Sequence, residues 1–241
     1  MLSGKLQTNI YREMEEEKLD NPAWYALTET HADFAIDYDG VKFYNPVYCP
    51  FGGFDSSDVP ESAIAQYALL TDNFFVVGQK PQFNAKVQLK NELICNQMLL
   101  AQPIEIEISN QIVALQTAKQ KEELLELVNL VQPGYFKPKT VELGNYFGIY
   151  QNDMLVAVTG ERMKMDNFIE VSAVVTHPEH TGKGYAKQLV AEVSNHIFKE
   201  NKIPFLHVTH TNIGAIKLYE KLGFKTRRKI SFWNFTANAD E

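Results

Sequence analysis

A segment with two glycines, between a predicted strand and a predicted helix, is the part of the sequence best suited to hold a phosphate group. The apolar run Phe168–Thr176 predicts a buried strand, and apolar residues recur at helical spacing after Gly184. Gly182 and Gly184 stand in the intervening loop. The free backbone N–H groups of a first helical turn bind anions, and glycines let a ligand come close to the backbone. The segment therefore predicts a phosphate site, to which Lys183 and Lys187 add positive charge.

This glycine spacing fits neither of two common nucleotide-binding patterns. A P-loop requires Gly-Lys followed by Ser or Thr, whereas Gly184 follows Gly182-Lys183 here. The dinucleotide pattern requires a third glycine at the position of Lys187. The expected phosphate ligand is therefore of another kind.

Two separated motifs, at Thr181–Ala186 and between Asn212 and Phe224, together resemble the GCN5-related N-acetyltransferases (GNAT). Thr181–Ala186 is similar to the pyrophosphate loop R/Q-x-x-G-x-G/A of that superfamily, with Thr181 where the family has Arg or Gln. Downstream, Asn212, Ala215 and Leu218–Phe224 resemble the closing N…A…LYEKLGF motif. The sequence E-V-S-A-V-V-T-H-P from Glu170 onward is most similar to the FR47-like branch. The resemblance covers roughly residues 110–235.

The resemblance implies both a fold and an activity. The fold is of the mixed α/β (α+β) class, with a central, mostly antiparallel, splayed sheet flanked by helices. The activity is acyl-CoA-dependent N-acyl transfer, in which an amine directly attacks the acetyl group of acetyl-CoA in a ternary complex. The acceptor stays open between a small amine, an amino acid and a protein N-terminus, and a homodimer is possible. The alternative function is a non-catalytic acyl-CoA-binding or regulatory protein.

The resemblance also assigns residues to the cofactor. Backbone groups of the strand ending at Thr176 would meet pantetheine, and one N–H would polarise the thioester carbonyl. The loop would wrap the pyrophosphate, and Asn212 would cap its helix and contact the cofactor arm. The implied cofactor contacts are Val174, Val175, Thr176, Thr181, Gly182, Lys183, Gly184, Tyr185, Ala186, Lys187 and Asn212.

Direct transfer needs an acid for the leaving thiolate and a base for the amine. Tyr219, seven residues after Asn212, resembles the acid tyrosine of the family, although a packing tyrosine would show the same spacing. Glu170 is the candidate base, with a solvated strand-end glutamate as the alternative. His207 or water could serve instead. We expect no metal, because His177-x-x-His180 has no further ligands nearby in sequence.

Composition predicts a protein that binds neither nucleic acid nor membrane, and the acidic first twenty residues and only two cysteines predict a cytoplasmic one. The net charge is −7, and no run of about 18 apolar residues is present. Residues 1–120 carry 8 basic and 16 acidic side chains, whereas residues 121–241 carry 15 and 14. We expect two packed units: a smaller, divergent, possibly degenerate GNAT-like half over residues 1–105, and the acetyltransferase domain over residues 106–241.

Local patterns predict the elements that position these residues. Apolar periodicity predicts a helix over Ala118–Val131, and Asn152-Asp153 predicts a hairpin turn. The alternation within Ile104–Ile108 predicts a half-buried strand. In the first half, a short polar helix is expected over Ile10–Leu19. Another helix, over Pro60–Leu70, is expected to be capped by residues 56–58.

Overall fold

The computed structural model describes residues 16–55 and 61–238. Most of the polar helix expected over Ile10–Leu19 lies outside these ranges, and so do the capping residues expected at 56–58.

The described part of the chain contains five α-helices and eleven strands. The helices are α1 Pro22–Thr28, α2 Glu61–Tyr67, α3 Ala118–Val131, α4 Tyr185–Lys199 and α5 Ile213–Lys221. The strands are β1 Ala35–Asp37, β2 Val41–Tyr44, β3 Phe51–Phe54, β4 Phe74–Val77, β5 Val87–Leu99, β6 Ile112–Ala114, β7 Tyr146–Gln151, β8 Met154–Lys164, β9 Phe168–Thr176, β10 Ile203–Thr209 and β11 Lys225–Ala237. The class is mixed α/β, as predicted.

All these strands belong to one sheet, in the order β1-β2-β3-β4-β11-β5-β10-β9-β8-β7-β6. The first and second halves of the chain interlock within it. Strand β5 lies between β10 and β11, while β11 also pairs with β4. Backbone hydrogen bonds of the sheet therefore join strands from both sides of residue 105. The division of the chain into domains 1–105 and 106–241 stays a prediction.

The sheet is mostly antiparallel and it opens at one place. Strands β9 and β10 run parallel, but their registered pairs stop at Phe205 and Glu170. Beyond that point β9 continues to Thr176 and β10 to Thr209 without pairing to each other. The expected splay is confirmed, and it places a gap beside the ends of both strands.

Local chemistry accounts for several elements that were predicted. Helix α3 begins at a capping box, in which the Thr117 hydroxyl accepts from the Gln120 backbone and the Gln120 side chain accepts in return. Asn152 and Asp153 have φ of 50° and 62°, the left-handed pair that a tight hairpin turn requires. No helix of the described residues is long and apolar enough to cross a membrane.

The strand predicted over Ile104–Ile108 is wrong. These residues have no regular secondary structure, although Ile104 is buried. The Asn195 side chain accepts from the Ile104 N–H and donates to the Ile104 C=O, both at 2.8 Å. The Gln188 side chain likewise accepts from the backbone of Ser109 and Asn110. Side chains of α4 thus satisfy backbone groups at the start of the predicted strand and just beyond its end.

Candidate active site

The gap between β9 and β10 is a cavity of about 480 Å³. Both halves of the chain contribute to its wall, because residues of β3, β4 and β5 line it together with residues of β8 to β11 and α5. The lining residues include Phe51, Phe75, Leu93, Cys95, Tyr135, Arg162, Glu170, Ser172, Ala173, Val174, Ala186, His207, Asn212, Tyr219 and Phe232. The predicted residues Glu170, Val174, Ala186, Asn212 and Tyr219 therefore share one cavity.

Strand β9 carries a β-bulge where it borders the cavity. Ser172 pairs with Gly160 and Val175 pairs with Val158, so that Ala173 and Val174 together oppose a single residue of β8. Ala173 has a φ of 52°, which turns the chain at this point. Since β10 has already separated from β9, Ala173 and Val174 lack a registered partner on either side. A bulge here can present a backbone N–H to a ligand.

The three residues of β9 expected to meet pantetheine occupy different environments. Val174 lines the cavity. The Val175 side chain is buried in the core with Leu124 and Val128 of α3. Thr176 continues the ladder by pairing with Ala157. Among the three, Val174 is the one whose side chain lies at the gap.

The loop before α4 has the geometry of an anion site. Gly182 and Gly184 both have a φ of 77°, and a Cβ at either position would have no atom within 4 Å. Gly184 is the N-cap of α4, and no side chain caps the helix. The first-turn N–H groups are therefore left for a ligand, beside exposed Lys183 and Lys187. These residues fit a pyrophosphate.

The remaining residues of the predicted cofactor loop differ in what they can offer. Thr181 is exposed, and its hydroxyl donates to the carbonyl of Pro178 at 3.2 Å. The Tyr185 side chain is buried with Leu189, so this residue faces a ligand only through its backbone N–H. Lys183 Nζ lies 3.3 Å from His180 Nδ1. The loop would thus bind mainly through its backbone.

Helix α5 brings Asn212 and Tyr219 to the cavity from its other side. Asn212 caps the helix by accepting from the Ala215 N–H at 3.1 Å, so the predicted capping role is confirmed. Tyr219 is buried, and burial raises the pKa of its phenol to about 12. No hydrogen-bond partner of its hydroxyl lies among the described residues, which leaves the O–H able to donate into the cavity.

Glu170 is buried in an ion pair. Arg162 Nε and Nη2 each donate to one of its carboxylate oxygens at 2.7 Å, and His207 Nδ1 lies 2.8 Å from Oε1. Burial opposes the charged form, but Arg162 and His207 outweigh it and hold the pKa of Glu170 far below its ordinary value of 4.5. The alternative of a solvated strand-end glutamate is wrong. The predicted base role stays a prediction.

Gln97 on β5 determines which nitrogen of His207 carries the proton. Its Nε2 donates to the Leu19 carbonyl at 2.7 Å, while its Oε1 accepts from Arg227 at 3.1 Å. These bonds fix the orientation of the amide, so Nε2 also donates to His207 Nε2, 3.1 Å away. The Nδ1 proton of His207 is then donated to Glu170. The Nε2 lone pair of His207 is already occupied.

Sequence analysis missed Arg162 and Gln97. Arg162 stands on β8, the hairpin partner of β9, and Glu161 pairs with Val171 in that hairpin. Counting the hairpin register would have placed Arg162 across from Glu170. No sequence signal identifies Gln97, since it reaches the site from the first half of the chain through the pairing of β5 with β10.

One group of potential metal ligands lies apart from the cavity. Ligand atoms of Glu161, His196 and Glu200 lie within 4.8 Å of one another at the C-terminal end of α4. Lys164 Nζ is 3.0 Å from Glu161 and 3.8 Å from Glu200, so an ammonium group already provides the positive charge there. The geometry is that of a salt-bridge network.

Comparison with known proteins agrees with this fold. Residues 146–233 match the family of FR47-like proteins. A protein from Novosphingobium aromaticivorans, classed as an acetyltransferase of the GNAT family, is 26% identical with a TM-score of 0.84, over 92% of this chain and 99% of that chain.

Two more distant structures share the fold. One is a GCN5-related N-acetyltransferase-like protein from Streptococcus suis, 14% identical with a TM-score of 0.62, over 89% of this chain and 92% of that chain. The other is a tandem GNAT protein from the clavulanic acid biosynthesis pathway, 11% identical with a TM-score of 0.52, over 83% of this chain and 79% of that chain. A search of curated proteins finds no match.

These findings define a GNAT acetyltransferase fold. Over residues 146–233 the chain is similar to FR47-like proteins, and over most of its length it shares the fold of GNAT acetyltransferases.

Proposed function

We propose that this protein transfers an acetyl group from acetyl-CoA to a primary amine by direct attack in a ternary complex. The observation that carries the proposal is the convergence on one cavity of a capless helix N-terminus, an unpaired bulge and a phenol. Each of the three provides one of the functions that acyl transfer requires: anion binding, polarisation of a carbonyl and proton donation.

The backbone of the α4 loop would hold the pyrophosphate. The N–H groups that follow Gly184 carry the partial positive charge of the helix terminus, and Lys183 and Lys187 add full charges. Asn212 and Val174 would flank the arm that leads into the cavity. Bound acetyl-CoA supplies an activated thioester to the amine.

The bulge and Tyr219 would then serve the reacting centre. A backbone N–H at Ala173 or Val174 would donate to an oxyanion, since neither residue has a registered partner on β8 or β10. Tyr219 stays protonated up to about pH 12 and can donate to a departing thiolate.

Glu170 and His207 are suited to holding the site together. A carboxylate with a strongly lowered pKa is a weak proton acceptor, and the His207 Nε2 lone pair is bonded to Gln97. We infer that these two groups position Arg162 at the cavity wall, and that the amine proton leaves through water.

The first half of the chain would be a divergent GNAT-like unit. The tandem GNAT neighbour supports this proposal because its likeness covers 83% of the present chain. In this proposal the first half supplies part of the acceptor wall, through Phe51 and Phe75.

Thiol release from acetyl-CoA, measured with a panel of amines, tests the proposal. Tyr219→Phe should lower kcat by about 100-fold, since a general acid contributes at least that factor. Its affinity for coenzyme A should not change. The matched control is Tyr150→Phe, whose hydroxyl donates to Glu123 outside the cavity.

Two outcomes would contradict the proposal in different ways. Coenzyme A binding without thiol release for any amine would indicate the non-catalytic acyl-CoA-binding function. An unchanged rate in Tyr219→Phe would remove the acid role from Tyr219.

A further inference from the structure

The end of the cavity away from the α4 loop is an aromatic enclosure. Phe51, Phe75 and Phe232 lie on three strands, and the Phe51 ring centroid is 5.6 Å from Phe75 and 5.7 Å from Phe232. Tyr135, which follows α3, stacks on Phe75 at 5.6 Å. Rings from both halves of the chain thus line the cavity, and such a wall favours an apolar or aromatic group.

Arg162 places a positive charge in this enclosure. Its Nε and Nη2 donate to Glu170, and its guanidinium carbon lies 4.5 Å from the Phe51 centroid. Its Nη1 donates to no residue of the described chain. The Arg162 side chain is 16% exposed and lines the cavity. A guanidinium with free N–H groups in apolar surroundings binds carboxylates strongly.

The free hydrogen-bond donors of the wall favour an anionic group over a cationic one. Among the described residues that line the cavity, Glu170 is the only carboxylate. Its oxygens already accept from two nitrogens of Arg162 and one of His207. A bound ammonium would have no other carboxylate of the wall to pair with. A bound carboxylate, in contrast, could accept hydrogen bonds from the free N–H groups of Arg162. An amine that arrives neutral needs no counter-charge, and the neutral amine is the form that attacks.

We propose that the acceptor is an α-amino acid with an apolar or aromatic side chain, and that Arg162 Nη1 binds its carboxylate. This inference rests on the proposed acetyl transfer and narrows its acceptor. The aromatic enclosure takes the side chain, Arg162 takes the carboxylate, and the neutral amine faces the thioester.

A three-way comparison of amines tests the inference on the unmodified protein. L-Phenylalanine, L-phenylalaninamide and phenethylamine share the aromatic group and the amine, but only the first has a carboxylate. Rates of thiol release should be compared per neutral amine, since the amine pKa differs among the three. We expect kcat/KM to be at least about tenfold higher for phenylalanine, as expected for one charge-assisted hydrogen bond. Equal values for the three amines would overturn the inference.

Binding of products separates this inference from the proposed reaction. N-Acetyl-L-phenylalanine should bind the coenzyme A complex more tightly than N-acetylphenethylamine does, as measured by calorimetry. This comparison applies even if no amine is turned over. Equal binding of the two compounds overturns the carboxylate contact. Coenzyme A binding without turnover of any amine, but with carboxylate selectivity, overturns the proposed reaction alone.

A substitution adds a third readout. Arg162→Lys keeps a positive charge beside Glu170 but loses the planar set of donors. We expect the KM for phenylalanine to rise about tenfold while the KM for acetyl-CoA stays unchanged. Arg228→Lys, an exposed arginine paired with Asp20, is the matched control. An unchanged KM for phenylalanine would count against Arg162. If Arg162→Lys fails to fold, the comparisons of amines and of products on the unmodified protein still test the carboxylate contact.

Discussion

The two ends of the cavity are built on different principles. At the α4 end, the groups proposed to bind the ligand are backbone N–H groups of a short contiguous loop, in which Thr181–Gly184 are exposed. At the other end, Arg162, Glu170, His207 and Gln97 come from four strands and are linked by side-chain hydrogen bonds. The first end depends on local conformation, and the second depends on tertiary packing. Substitutions at the α4 end should therefore weaken ligand binding, whereas substitutions at the other end should lower the stability of the fold.

Glu170→Gln should have the largest effect, on stability. Removing this charge leaves Arg162 buried without a counter-ion, and breaking a buried ion pair costs about 3 kcal/mol. The free energy of unfolding from urea denaturation measures the loss. Glu126→Gln, on the exposed face of α3, is the control and should change stability little. A loss below about 1 kcal/mol in Glu170→Gln would mean that the ion pair contributes little to the fold.

Gly184→Asp should instead destroy cofactor binding and leave the fold intact. A carboxylate beside the phosphates adds a like-charge repulsion of a few kcal/mol, so coenzyme A should bind at least about 100-fold more weakly. Gly40→Asp is the matched control, because Gly40 also has a positive φ (95°) and no atom within 4 Å of a Cβ. Retained affinity in Gly184→Asp, measured by calorimetry, would show that the pyrophosphate lies elsewhere.

The pH dependence of the free energy of unfolding should reveal the ion pair at the buried end of the cavity. Because the pKa of Glu170 is lowered in the folded state, its stabilisation is complete above about pH 4.5 and declines as the pH falls further. In that acidic range the decline should be about 1.4 kcal/mol per pH unit. The difference in unfolding free energy between the wild type and Glu170→Gln isolates this contribution. A difference that stays constant from pH 6 to pH 3 would contradict the lowered pKa.

Thr181→Gln should have the smallest effect. Restoring the side chain that the family carries should change coenzyme A affinity by less than about threefold, because an exposed side-chain contact is worth ~0.5 kcal/mol. Affinity that rises by more than tenfold would show that the side chain at this position shares the binding with the backbone. Side chains would then contribute more to ligand binding at the α4 loop than the loop geometry indicates.

Prediction from sequence succeeded where an element depends on its own residues. Helix α3, the turn at Asn152-Asp153 and the loop before α4 follow from caps, left-handed φ values and apolar periodicity. It failed at Ile104–Ile108, where Asn195 of α4 binds the backbone of Ile104 and no strand forms. An alternating pattern cannot show which distant side chain will satisfy a backbone group.

The sequence by itself showed the resemblance to GNAT acetyltransferases, the glycine loop before α4 and the candidacy of Tyr219, because these depend on motifs contiguous along the chain. Only the tertiary structure decided that β5 of the first half lies beside β10, and that Gln97 therefore meets His207. It also decided that Arg162 and Glu170 are buried together at the wall of an aromatic cavity. The reason is physical: a buried charge is tolerated only where partners from other strands neutralise it, and strand pairing between distant segments leaves no local trace in the sequence.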